Sequence, residues 1–397
     1  MKHRTQFNFF SKTSAILVSL GVSLGLLLSG CQKAKSRPNT LSDSIEVGEV
    51  QTLTGSEAAF GTAIHRGIEL AVKQINEAGG IQGRTIRLIT LDDQGKSDEA
   101  ATAVTKLISQ HKVTAILGAL ASSRSLAMAP IAQKNKIPMI TPTATHPQVT
   151  RTGDYIFRVC FADAFQGQVM AKFALRNLKV KKIAILQDIK SDYSLGLSHV
   201  FSKTIKEGGG KVLPIQSYSA GDIDFKAQLT VLRGQNPEAI YIPGYYTEVG
   251  LIARQARELG IKTPLLGGDG WSSPKLLEIA SQAANDSYYS DHFSSEDHSE
   301  KVQRFVKSFE STYHLVPDGI SALGYDSVNL LAEAIRKSNT LTPESIRESL
   351  SQLSEFPAVT GNITFDQNRD PIKSAVIMKI QNGKPTFFMA QPFQESI

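Results

Sequence analysis

The chain has 397 residues, 41% of them hydrophobic and 20% charged, which is enough to bury one large core and more readily two. Its formal net charge of +6 overstates its basicity, because residues 1–30 hold three lysines and arginines and no acid, and the remainder carries 40 basic against 37 acidic side chains. A nearly balanced surface, with no cluster of lysine and arginine among aromatics, argues against nucleic acid as a partner.

Lys2, Arg4 and Lys12 precede an uncharged run of apolar and small residues over 14–28, the pattern of a secretory signal. A run of this length falls short of the roughly 20 residues that span a bilayer. Leu28-Ser29-Gly30-Cys31 follows it and resembles the bacterial lipobox, in which the cysteine becomes the lipidated first residue. Residues 1–30 are therefore expected to be a lipoprotein signal peptide, and the polar, aperiodic stretch 31–44 a flexible tether. Cys160 is the second of two cysteines and has no partner for a disulfide. Set among the apolar residues of YIFRVC, it reads as a buried, inert thiol.

From Ile45 the chain alternates short apolar runs with amphipathic ones. A strand over 45–53 leads to a helix over 58–78, in which Ile64, Ile68, Ala71 and Ile75 share one face and Gly79-Gly80 provides the stop. A strand over 85–91 ends at Asp92-Asp93, where turn formation is the simplest role for the two carboxylates. A helix over 97–110 and a strand over 113–117 follow. Gly118 then turns the chain into a helix beginning near Ser122-Ser123, and a strand over 136–140 exits into Thr141-Pro142-Thr143-Ala144-Thr145. Crossover helices between short apolar strands imply a parallel sheet covered on both faces.

The pattern restarts after Cys160. Helices over 164–178, 195–208, 225–233 and 248–259 alternate with strands over 182–187, 211–218, 239–243 and 264–268, a second α/β unit of similar size. From Ser287 the chain becomes more polar, then gives helices over 300–313, 320–338 and 343–353. The last of the chain reads as strands over 361–365, 371–379 and 386–389, with turns at 368–370 and 382–383. The three late helices need an apolar face, and the free flank of the first unit is the simplest one available.

Ligands in parallel α/β sheets sit at the C-terminal ends of strands. Ser122, Thr143 and Thr145 stand at two such exits beside the unpaired amides of a helix start, a combination suited to a carboxylate. Taken singly, hydroxyls there more often cap than bind. Tyr193, Tyr245 and Trp271 each follow a strand of the second unit and together can line a cleft wall. Asp269, between glycines at the same rim, is suited to an ammonium group. His292 and His298, among acidic neighbours, could hold a metal, but their spacing reads better as a solvated loop. No Gly-x-Ser-x-Gly elbow, His-Glu-x-x-His, cysteine pair at metal spacing or phosphate loop occurs, so nothing points to an enzyme or to a cofactor.

These features together resemble the substrate-binding proteins of ABC transporters for branched-chain and neutral amino acids, which have the periplasmic binding protein type I fold. GTAIHRGIELAVKQINEAGGIQGRTIRLITLDDQ, TPTATHP, DYIFRV, YSLGL, YIPGYYTEVGLIARQARELG and GNITFDQNRD carry the resemblance in order. It implies an α/β protein of two Rossmann-like lobes joined by a three-crossover hinge, with lobe one over 45–163 and 290–365 and lobe two over 164–289 and 366–390. It also implies that Ser122, Thr143 and Thr145 bind a ligand carboxylate and Asp269 its amino group, with Phe60, Tyr193, Tyr245 and Trp271 lining the cleft. Phe60 falls where many members carry a tyrosine, and the first-lobe disulfide of the leucine-type proteins has no cysteines here. The implied partners are an amino acid and an inner-membrane ABC permease. The protein would be a monomer held by lipidated Cys31 on the periplasmic or cell-surface face of a bacterial membrane. A sensory or amide- and urea-type binding protein of the same fold stays open, and an extracytoplasmic enzyme less so.

Overall fold

The computed structural model describes residues 44–393. The expected signal segment, Cys31 and the tether up to residue 43 lie outside the described residues. The first strands and helices are β1 (Ser44–Gln51), α1 (Ala58–Glu77), β2 (Thr85–Asp92), α2 (Ser97–Ser109), β3 (Ala115–Gly118), α3 (Ser122–Lys134), β4 (Met139–Thr141), a single turn α4 (Gln148–Arg151) and β5 (Ile156–Arg158). Their strands form one parallel sheet in the order β2-β1-β3-β4-β5. The stripe of Ile64, Ile68, Ala71 and Ile75 on α1 is buried with Ile45 and Val47 of β1. Each such isoleucine contributes about 1.5–3 kcal/mol by leaving water.

The chain continues through α5 (Asp163–Arg176), β6 (Lys182–Asp188), α6 (Asp192–Glu207), β7 (Lys211–Val212), β8 (Gln216–Tyr218), α7 (Lys226–Gln235), β9 (Ala239–Tyr241), α8 (Tyr246–Glu258) and β10 (Leu265–Gly267). A 3₁₀ turn at Asp269–Trp271, helix α9 (Pro274–Ala280), a second 3₁₀ turn at Ser281–Ala284 and β11 (Ser287–Asp291) follow. Helices α10 (Glu300–Tyr313), α11 (Gly319–Lys337) and α12 (Pro343–Ser351) precede the hairpin of β12 (Ala375–Gln381) and β13 (Lys384–Gln391). The second sheet has the order β13-β12-β11-β10-β9-β6-β7, with β8 also on β6. It is parallel from β6 to β11, and antiparallel at β12 and β13.

Helix α11 lies against α1 so closely that at Gly67 and Gly324 no side chain fits. A Cβ on Gly67 would stand 2.0 Å from the Ser321 carbonyl oxygen, and one on Gly324 would stand 2.4 Å from that of Ile64. Asp318 starts α11 with a capping box, accepting from the Ser321 amide at 2.8 Å.

Four local expectations are corrected. The strand expected over 211–218 is two short ones, since Pro214 brings no amide to the ladder. Ser287–Asp291, given no element from the sequence, is a strand inside the second sheet whose serines are buried. Helix α9 was not anticipated, although Ser273 caps it and Pro274 opens it. The strand expected over 361–365 is reduced to isolated bridges, Phe356 to Ile363 and Phe365 to Pro371, and the next begins only at Ala375. The turns at 368–370 and 382–383 are present, with Arg369, Asn382 and Gly383 at positive φ.

Candidate functional site

At the β3 exit, Gly118 has φ +143°, and a Cβ there would lie 2.4 Å from the Val50 carbonyl oxygen, so only glycine lets β3 turn beside β1. The residue before α3 is Ala121, in an extended conformation, and no side chain caps the helix. Ser122 does not serve as the cap. Its hydroxyl instead accepts from the His146 amide at 3.2 Å, which ties the β3 exit to the β4 exit. Thr143 donates to the Leu120 carbonyl at 2.6 Å and Thr141 to that of Ala119 at 2.9 Å. Thr145 is fully buried, and its carbonyl accepts from the Asp163 amide at 2.9 Å. Arg158, on β5 and also buried, holds the same loop from below by donating to the carbonyls of Ala144 and His146, each at 2.8 Å. The first-turn amides of α3 have no intrahelical acceptor, so this rim offers N–H and O–H groups. Its nearby cation, Arg124, is paired with Glu57. Asp92 and Asp93 form turns, accepting from Leu53, Thr54 and Gln94, and from Thr52 and Gly95.

Asp269 forms the opposite rim and is only 3% exposed. The Tyr193 hydroxyl donates to its Oδ1 at 2.8 Å and itself accepts from the Gly270 amide at 3.0 Å. The Asp269 amide donates to Gln166 Oε1 at 2.8 Å, and Ser290 donates to that same oxygen at 2.8 Å. His292 Nε2 lies 3.0 Å from Asp269 Oδ2. His292 is thus no part of a solvated loop, as its sequence surroundings led one to expect; burial pushes its pKa down to about 4. Among the described residues no group of three or more His, Cys, Asp or Glu could hold a metal ion.

Between the rims, Phe60, Leu120, Thr143 and Ile320 of the first lobe meet Tyr193, Tyr245, Asp269 and Gly270 of the second around one cavity. Tyr193 and Tyr245 stack with centroids 5.2 Å apart, and Phe60 stands edge-on to Tyr245 at 6.1 Å and to Tyr246 at 4.7 Å. The lobes are drawn together: Tyr246 and Thr247 donate to the Ser56 carbonyl at 2.8 and 2.9 Å, and the Asp192 amide donates to Ser123 Oγ at 3.3 Å. The cavity is consequently small, about 20 Å³, room for little more than one water. A groove of about 730 Å³ along His292, Phe293, Thr360 and Phe387 is far larger, yet shares none of the expected ligand-binding residues. Two lobes closing on each other shrink the space they enclose, so size alone does not decide between the two.

Of the residues singled out from sequence, Phe60, Thr143, Tyr193, Tyr245 and Asp269 meet at the cavity. Ser122 and Thr145 sit in the same two strand exits without lining it. Trp271 is not at the cavity: its ring packs in the core of the second lobe, 1% exposed, with Nε1 donating to the Ile242 carbonyl at 3.0 Å. Gly267 makes room for it, since a Cβ there would be 2.1 Å from the indole. Leu120, Ile320, Gln166 and Arg158 escaped the sequence reading, and His292 was weighed only as a metal ligand or loop residue. Only Arg158 gave a signal, as a lone charge inside YIFRVC. Around the crossovers, burial raises Asp163 and Asp291 to about 8 each, lowers Lys373 to about 8 and lifts the Cys160 thiol to about 12, so that thiol is inert. Among the described residues no helix is long and apolar enough to cross a membrane.

The profile of the family described as periplasmic binding protein matches residues 44–385. The chain is 39% identical to the crystal structure of a leucine binding protein, LivK, from Thermotoga maritima, with a TM-score of 0.85 over 88% of this chain and 99% of that one. It is 35% identical to LivJ from Streptococcus pneumoniae, a branched-chain amino acid transporter substrate binding protein solved with isoleucine, with a TM-score of 0.83 over 88% and 99% of the two chains. It is also 31% identical to the leucine-, isoleucine-, valine-, threonine- and alanine-binding protein of Pseudomonas aeruginosa, over 83% of this chain and 87% of the relative. Two α/β lobes around one cleft, matched over residues 44–385, place the chain in the periplasmic binding protein family.

Proposed function

We propose that this protein is the extracytoplasmic solute-binding component of an ABC importer and takes a branched-chain or neutral amino acid between its lobes. One observation carries the reading: a buried carboxylate, Asp269, shares one cavity with Thr143 of the first lobe and a wall of Phe60, Tyr193 and Tyr245. A zwitterion complements that arrangement, ammonium toward Asp269 and carboxylate toward the first lobe, with an apolar side chain against the rings. Ser122, Thr143 and Thr145 serve the carboxylate, Thr143 by turning its proton from the Leu120 carbonyl to the ligand. The names of the relatives, which bind leucine, isoleucine and valine, support the same class of ligand. The cleft binds and has no catalytic role, as in the rest of its family.

A cavity of about 20 Å³ cannot admit an amino acid while the lobes stay this close, so binding proceeds by separation and closure. A ligand touching both lobes stabilises the closed form, and that form is what a permease would receive. The lipobox-like Leu28-Ser29-Gly30-Cys31 supports anchoring through Cys31, with the protein acting as a monomer.

A thermal-shift screen against the twenty amino acids, with urea and short amides as controls, tests the reading. Stabilisation by leucine, isoleucine, valine or small neutral amino acids is expected. Stabilisation by urea or amides alone would replace it with the amide-binding alternative.

A further inference from the structure

His292 leaves the end of β11, where the chain crosses from the second sheet toward α10 in the first lobe. Its ring is buried and stacks on Phe161, which lies on the earlier crossover between β5 and α5, with centroids 3.6 Å apart and planes 26° from parallel. Its Nε2 is 3.0 Å from Asp269 Oδ2, while Tyr193 occupies Oδ1. A neutral imidazole has a single N–H, and facing a carboxylate oxygen only the donor nitrogen is attractive, so the proton sits on Nε2. Burial keeps the ring neutral near pH 7, and Nδ1 has no partner among the described residues. The ring therefore makes one directional bond, and that bond goes to Asp269.

We propose that His292 is a positioning residue for the ligand: its Nε2–H fixes the plane of the Asp269 carboxylate toward the amine, and its stack on Phe161 ties that plane to the hinge. The inference rests on the amino-acid reading above and deepens it. Tyr193 and His292 hold one oxygen each and leave the remaining lone pairs for the ammonium group. Because His292 and Phe161 stand on two different crossovers, a hinge rotation that separates the lobes also disturbs the carboxylate that grips the amine. Closure and amine recognition are then one event.

The test compares leucine binding by calorimetry in the unaltered protein, His292→Gln and His292→Leu. Gln can place an amide N–H near the Nε2 position, whereas Leu fills the space without a donor. Loss of a hydrogen bond to a charged group corresponds to about 10- to 100-fold weaker binding in His292→Leu, with His292→Gln within about threefold of the unaltered protein. A Leu variant as tight as the unaltered protein, or a Gln variant as weak as Leu, overturns the proposal. Should the variants fail to fold, long-range ¹H–¹⁵N spectra of the unaltered protein decide: a neutral His292 protonated on Nε2 is expected, and an Nδ1–H ring overturns it. An unaltered protein that binds no amino acid sinks the function reading and this inference together. Amino-acid binding indifferent to His292→Leu sinks this inference alone.

Discussion

The two rims of the cavity are held in place by different means. In the first lobe Ser122 and Thr143 bond to His146 and Leu120, 24 and 23 residues away, between two adjacent strand exits of one sheet. In the second lobe Asp269 is held by Tyr193, Gln166 and His292, which lie 76, 103 and 23 residues away on α6, α5 and the end of β11. The first rim presents hydroxyls and amides that already have local neighbours, so no single side chain is indispensable there. The second presents one buried charge that needs a shell drawn from several elements, and damage there should be costly and concentrated.

The sharpest way to break this contrast is Asp269→Ala. Removing one partner of a buried, hydrogen-bonded charge pair costs about 2–5 kcal/mol, which is at least tenfold and up to several thousandfold in affinity. Calorimetry should show that loss for a free amino acid while circular dichroism stays native. Unchanged affinity would take Asp269 out of the site and leave the second rim no more critical than the first.

The shell of the second rim should also show itself in stability against pH. His292 has an ordinary pKa of 6.5 and is pushed by burial to about 4 in the folded protein. Between these values the unfolded chain takes up a proton that the folded ring refuses. This group's contribution to stability is therefore complete above pH 6.5, is lost as pH falls toward 4 and changes no further below that. At full extent the loss is about 3 kcal/mol. Asp163 and Asp291, raised to about 8, act in the opposite sense: their folded forms hold protons that the unfolded chain gives up, so their contribution declines as pH rises from 3.8 to 8. Comparing the unaltered protein with His292→Gln cancels that background. The unfolding free energy of the unaltered protein should fall relative to the variant on going from pH 6.5 to 4. Parallel profiles would mean that the ring titrates normally.

The first lobe has its own fragile point, away from its rim. Gly67→Ala places a methyl 2.0 Å from the Ser321 carbonyl oxygen and must push α11 off α1. Overpacking of this kind costs about 1–3 kcal/mol, read as a lower urea midpoint. Phe60 and Ile320, carried by these two helices, line the cavity, so leucine binding should weaken as well. An unchanged midpoint would contradict the close helix contact.

The difference between the rims also explains which parts of the site were legible in the sequence. Thr143 could be placed at the cavity because a hydroxyl run after a short apolar strand is a local signal, and Tyr193 and Tyr245 because they follow strands in the same way; Ser122 and Thr145 give the same signal and do not line the cavity. Trp271 satisfies the same rule and is elsewhere: an indole fits a core as well as a cleft, and the glycine that admits it, Gly267, is four residues upstream with no signature of its own. His292 and Gln166 matter through bonds to distant residues, and a histidine within SDHFSSEDHS has the composition of a solvated loop. The same composition concealed β11. Ile320 reads as one apolar residue among many on α11. The α/β alternation of the first lobe and most of the second was visible, because periodicity is local. That β12 and β13 join the second lobe came only from the family resemblance, and their pairing with β11 not at all, because sheet order is set by pairing between segments far apart in the chain.

The smallest effect belongs to the rim that looked most conspicuous in the sequence. Ser122→Ala removes the acceptor of the His146 amide but leaves the first-turn amides of α3 and the Thr143 hydroxyl where they are. Losing one neutral hydrogen bond costs about 0.5–1.5 kcal/mol, so affinity should drop by roughly two- to tenfold and not more. Calorimetry on Ser122→Ala beside Asp269→Ala compares the rims directly. If Ser122→Ala abolished binding with a native circular dichroism spectrum, the backbone amides would be insufficient. The first rim would then depend on one hydroxyl as strictly as the second depends on its carboxylate.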